Sequence, residues 1–116
     1  MKDFEIIDES NYTIITILSD KLDLHIAPLL KTELVIISGT TDKNIILDIS
    51  NCRYCDSAGL AIMLSGNRLC KKNKTTFVVT GLNDLVKKLF HVSQLEPVIK
   101  IADSIEDAIN IIENDI

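Results

Sequence analysis

Residues 54–60 read Tyr54, Cys55, Asp56, Ser57, Ala58, Gly59, Leu60, and the rest of the chain is organised around them. Asp and Ser side chains accept hydrogen bonds from the free amides of a helix's first turn, so Asp56 and Ser57 mark the start of a helix. Upstream, residues 44–49 form a short apolar run of the kind a strand covered on both faces requires. Downstream, helical periodicity runs over residues 58–72 with Asn73 as its stop, and residues 75–80 are again rich in β-formers. A strand, a loop, a helix and a second strand in that order make a crossover unit, which places the two strands parallel.

The same reading extends outward in both directions. Residues 4–7 and 12–18 are β-rich and separated by the polar Asp8, Glu9, Ser10 and Asn11, which predicts an N-terminal hairpin. Residues 26–37 are helical, with Pro28 tolerated in the first turn and Ser38 and Gly39 ending the helix. Asn83 or Asp84 caps a helix through Phe90, residues 98–101 form a short strand, and residues 104–113 form an amphipathic helix with Ser104 as N-cap. The order is β-β-α-β-α-β-α-β-α. It predicts an α/β fold with a mixed, largely parallel sheet and helices packed against it. No repeat or linker interrupts the chain, so residues 1–116 are expected to form one domain.

Composition narrows the function classes. Twelve Lys and Arg against 17 Asp and Glu give a formal charge of −5, and only 4% of the 116 residues are aromatic. Nucleic-acid binding, which draws on clustered cations and stacking rings, is therefore not expected. No apolar run approaches the length of a membrane helix, and the residues around Asp3 and Glu5 are too acidic for a signal peptide. No membrane insertion and a cytoplasmic location follow as expectations. Cys52, Cys55 and Cys70 are read as packing thiols in a reducing compartment. The alternative, a metal or redox role for the Cys52 and Cys55 pair, lacks a second ligand pair, since His25 and His91 stand alone in the sequence. Cations dominate residues 68–100, while Asp103, Glu106, Asp107, Glu113 and Asp115 make the C-terminal stretch acidic. Mutual screening of the two regions is the simpler reading, an acidic partner patch the functional one.

On a helical wheel, Ile62, Gly66, Leu69 and Cys70 share an arc that should face the sheet. Ser57, Leu60, Leu64, Arg68 and Lys71 fall opposite, which either forms a docking face or lets the two leucines pack beneath a neighbouring helix. Unpaired amides and the positive macrodipole at the helix start could accommodate a phosphate on Ser57. Simple capping by Asp56 or Ser57 accounts for the same residues.

The segment from Asp56 to Leu60 resembles the aspartate, serine, small residue, glycine, leucine signature of STAS domains, specifically of the stand-alone bacterial anti-sigma factor antagonists. Leu22, Asp23, Leu24, His25, Ile26, Ala27 and Pro28 resemble the family's segment before its first helix. The run from Leu85 to Phe90, followed by Val92, Ser93 and Leu95, resembles its later helix. The chain departs from the pattern at Asp20, where glycine is usual, and at Asn73, which replaces the glycine that commonly follows the central helix. Asn tolerates the left-handed conformation such a position asks for.

The resemblance implies a partner switch. The unphosphorylated antagonist captures an anti-sigma factor that is also a serine kinase and so frees the sigma factor. Phosphorylation of the serine, here Ser57, ends the capture, and a serine phosphatase restores it. Asp56 would orient the loop, and Asp23 would contact the kinase or cap the first helix. With Ser57, Ala58, Gly59, Leu60, Leu64 and Arg68 they make up the expected partner surface. An alternative is a constitutive subunit or scaffold of another assembly, such as a lipid-transport complex. No phosphate-cradling glycine loop and no serine with a positioned histidine occurs, so neither an enzyme nor a cofactor is expected.

Overall fold

The computed structural model describes residues 3–114; Met1, Lys2, Asp115 and Ile116, Asp115 of the acidic stretch among them, lie outside the described residues. Its elements in chain order are β1 (Phe4–Asp8), β2 (Tyr12–Ile17), β3 (Lys21–Leu22), α1 (Ala27–Thr40), β4 (Asn44–Asp48), β5 (Tyr54–Cys55), α2 (Ser57–Lys72), β6 (Phe77–Thr80), α3 (Asp84–Val92), β7 (Lys100–Ala102) and α4 (Ile105–Asn114). Five strands form one sheet in the order β1-β2-β4-β6-β7. Among the described residues only the β1–β2 hairpin is antiparallel, as the polar turn after Ile7 requires, and β2–β4, β4–β6 and β6–β7 are parallel. The α/β class and the mixed, largely parallel sheet expected from the sequence are present.

Strand alternation divides the core in two. Ile15, Ile17, Ile45, Leu47, Phe77 and Val79 point to one face and pack with Leu30 and Leu34 of α1, Ile62 and Met63 of α2, and Val86 and Phe90 of α3. Ile14, Ile46 and Val78 point to the other face, where Ala108 and Ile112 of α4 cover them. Burying side chains of this size contributes about 1.5–3 kcal/mol each, so the three-helix face dominates stability.

Several boundaries differ from the sequence reading. Helix α1 runs through Ser38 and Gly39 to Thr40, because the hydroxyls of Thr40 and Thr41 donate to the carbonyls of Ile36 and Ile37 and hold an extra turn. Strand β7 begins at Lys100 and not at Val98, since the amides of Val98 and Ile99 donate to the carbonyl of Leu95 in a turn. Asn73 ends α2 as expected but at φ −93°, and the left-handed residue is Lys74. Asn73 instead donates from Nδ2 to the Ser38 carbonyl at 2.6 Å, tying the end of α2 to that of α1. His91, which no sequence pattern pairs with another group, has its Nδ1 2.6 Å from Glu96 Oε1.

Candidate functional site

The sequence reading contained no β3–β5 pair, yet that pair builds the site. Lys21 and Leu22 run parallel to Tyr54 and Cys55, a two-residue ladder beyond the end of the main sheet. The Arg53 amide donates to the Asp20 carbonyl at 2.7 Å, and the Asp56 amide donates to the Leu22 carbonyl at 3.2 Å. Asn51 Nδ2 donates to the Ile17 carbonyl, and Asn83 Nδ2 to the carbonyls of Cys52 and Arg53. Since Asn83 Oδ1 also caps α3 through the Val86 amide, one side chain joins the loop to that helix. The segment entering α2 is therefore fastened on several sides.

Asp56 is the central clamp. Its Oδ1 accepts from the Gly59 amide at 2.9 Å, the expected helix cap, and its Oδ2 accepts from the Leu24 amide at 3.1 Å. One carboxylate thus fixes the start of α2 against the segment preceding α1. Asp23 lies beside this clamp but does not cap α1 with its side chain: Oδ1 accepts from the His25 amide, and its carbonyl accepts from Ile26 and Ala27. Gly59 is buried and sits where a Cβ would come within 2.1 Å of the Leu22 carbonyl oxygen, so close approach of α2 to β3 demands glycine.

Against this background Ser57, the first residue of α2, is exposed. Ala58 is half-buried and lines a cavity of about 300 Å³ between α1 and α2 with Leu24, Ala27, Lys31, Ala61 and Ser65. Of the two alternatives for Leu60 and Leu64, the structure shows the packed one: both are half-buried and pack against the principal core. The arc of α2 that is buried comprises Gly59, Ile62, Met63, Gly66, Asn67 and Cys70, and Leu69 is only half-buried. Arg68 is exposed but lies three turns, roughly 16 Å, along the helix from Ser57, so the two cannot act on one small group. The apolar side chain that does stand free by the clamp is Leu24, 70% exposed, and the sequence reading did not assign it a role. Its neighbours could have been found from the spacing of Ala58, Ala61 and Ser65, small residues at i, i+3 and i+7 that leave a groove along α2.

The thiols beside the site are sequestered. Cys52 and Cys55 are 2% and 1% exposed. Burial, and then each thiol's acidic or thiol neighbour, pushes Cys52 up to about 12 and Cys55 up to about 11. Both are expected to resist a thiol reagent at neutral pH that labels the urea-unfolded chain fully, which a colorimetric thiol assay checks. A raised folded-state value stabilises the fold below the unfolded thiol value of 9.0 and loses that contribution as pH rises through about 12. Melting temperature is therefore expected to fall progressively across the alkaline side of pH 9, and to fall less in a Cys52→Ala variant.

The family model of the STAS domain matches residues 4–108, and the chain belongs to the STAS domain family. Solved structures share the fold at low sequence identity. An anti-sigma factor antagonist from Mycobacterium paratuberculosis is 18% identical with a TM-score of 0.82, covering 96% of this chain and 93% of that one. A variant of RsbS from Moorella thermoacetica is 19% identical with a TM-score of 0.84, covering 97% of each chain. The Bacillus cell fate determinant SpoIIAA, in its phosphorylated form, is 21% identical with a TM-score of 0.69, covering 92% of this chain and 96% of that one. Among the described residues of this chain, no helix is long and apolar enough to cross a membrane.

Proposed function

We propose that this chain is an anti-sigma factor antagonist that captures an anti-sigma factor when Ser57 is unmodified and releases it when Ser57 is phosphorylated. The anti-sigma factor doubles as the serine kinase, and a serine phosphatase resets the switch; the chain itself performs no catalysis. The observation that carries this reading is local. Asp56 fastens the amides of both Leu24 and Gly59, so the segment is rigid, while the neighbouring Ser57 is exposed at the first helical position. A kinase can reach that residue without unfolding its surroundings. The fold shared with a relative described in its phosphorylated form supports the same direction.

A phosphate adds about −1.5 to −2 charge at neutral pH. Next to the carboxylates of Asp56 and Asp23 it converts a mildly acidic rim into a strongly acidic one, which opposes any partner that binds this rim with buried or acidic groups. In this reading Asp23, Asp56, Ser57, Ala58 and Gly59 form the contact region. Leu60 and Leu64 support it from within, and Arg68 marks its far end.

The test is residue-specific phosphate mapping. Purified chain incubated with ATP and an extract of its own cells is expected to acquire phosphate on Ser57, seen by peptide mass spectrometry, with none on a Ser57→Ala chain. Modification at another residue, or equal modification of both chains, contradicts the proposal.

A further inference from the structure

The geometry points to a second site, across the sheet from Ser57, that binds a guanidinium group. Strand register sets Thr16, Asp48 and Thr80 side by side on adjacent strands, on the face that α4 covers. The neighbouring row on that face is Ile14, Ile46 and Val78, the apolar set packed under α4. Packing alone would continue the apolar row, so a threonine, an aspartate and a threonine are the anomaly.

Thr80 is 1% exposed, and its Oγ1 has no hydrogen-bond partner among the described residues. Leaving a buried hydroxyl unpaired is destabilising, a cost that an isosteric valine would avoid. Asp48 is 8% exposed, and its Oδ1 accepts from the Ser50 amide at 2.9 Å. Both residues line an open cavity of about 400 Å³ at the C-terminal ends of β4 and β6, with Asp103, Ser104 and Glu106 from the start of α4 on its other side. Crevices outside the carboxyl ends of parallel strands are where open α/β sheets bind ligands.

The lining selects the ligand. Asp48, Asp103 and Glu106 are acidic and, among the described residues, no Lys or Arg lines the cavity, so an anion is opposed despite the helix start. A metal ion needs several ligands converging on one point, and among the described residues no group of three or more His, Cys, Asp or Glu is placed to hold one. Carboxylates spread around a cavity, with the unpaired Thr80 hydroxyl and the serines Ser50 and Ser104 among its lining residues, suit a larger organic cation with several donors in a plane, which a guanidinium is. The group could belong to a free small molecule or to an arginine side chain of a partner. The inference stands independently of the role proposed for Ser57.

The experiment is a titration of the full chain followed by ¹H–¹⁵N correlation spectra at constant ionic strength. The probes are methylguanidinium, a capped peptide with one arginine, and methylammonium as a charge-matched control. Saturable shifts are expected at the amides of residues 48–50, 80–81 and 103–107 with a guanidinium probe and not with methylammonium. Saturation by methylguanidinium, with or without the peptide, identifies a small molecule as the source; saturation by the peptide alone identifies a partner's side chain. A Thr80→Val chain is expected to melt no lower than wild type while binding roughly tenfold more weakly, and Asp48→Asn to weaken binding at least as much. Failure of both guanidinium probes to saturate overturns the inference. So does an equal response to methylammonium, or undiminished binding by a folded Thr80→Val chain.

Discussion

A Gly59→Ala chain is expected to be destabilised by about 3 kcal/mol, and a Gly39→Ala chain to be stabilised by up to about 1 kcal/mol, although both glycines lie in helices. At residue 59 the added methyl meets the Leu22 carbonyl oxygen at 2.1 Å, and the obstacle is backbone that no side-chain rotation can remove. Relief requires α2 to withdraw from β3. That movement breaks the Asp56 bonds to Leu24 and Gly59 together with the short β3–β5 ladder. At residue 39, inside α1, none of the described residues lies within 4 Å of the added atom, so only the better helix propensity of alanine remains. Thermal denaturation separates the two, with a fall of about 10 °C for the first and a small rise for the second. Equal melting temperatures for Gly59→Ala and wild type would show that the approach of α2 to β3 is not the constraint described above.

Ser57→Asp is expected to weaken capture of the anti-sigma factor roughly 100-fold or more, about 3 kcal/mol, while Ser57→Ala retains it within a few-fold. The reason for the asymmetry is charge and not size. Alanine removes only an exposed hydroxyl, whereas aspartate places a second carboxylate directly beside Asp56 at the tip of α2. The first helical turn tolerates the acid, so the variant should fold and its circular dichroism should match wild type. Affinity capture from native extract, with isothermal titration of the retained protein against each variant, checks this. Undiminished binding of the folded Ser57→Asp chain contradicts it, and would be the expected behaviour of a constitutive scaffold.

The parts of this molecule written in local patterns were legible from the sequence. The apolar run at residues 44–49 and the β-formers at residues 75–80 located β4 and β6, and the cap at Asp56 located α2, because composition and capping act over a few residues. The β3–β5 ladder was not legible, since two residues per strand carry no periodic signal and their pairing exists only once the loop folds back on Asp20 to Leu22. The wheel of α2 left Leu60 and Leu64 between docking and packing, because it does not show that this helix packs on α1 as well as on the sheet, which widens its buried arc beyond one stripe. Thr16, Asp48 and Thr80 are unremarkable in three separate segments. Only the register makes them one polar row beneath α4.

The most direct test of the switch couples modification to release in one reaction. The captured anti-sigma factor is purified in complex with this chain and given ATP, and samples are taken over time for intact mass and for the fraction still in complex. The expected result is that each chain gaining one phosphate on Ser57 leaves the complex, while a Ser57→Ala complex given ATP stays whole. A complex that stays intact after stoichiometric phosphorylation of Ser57, or that dissociates equally with Ser57→Ala, would contradict the account.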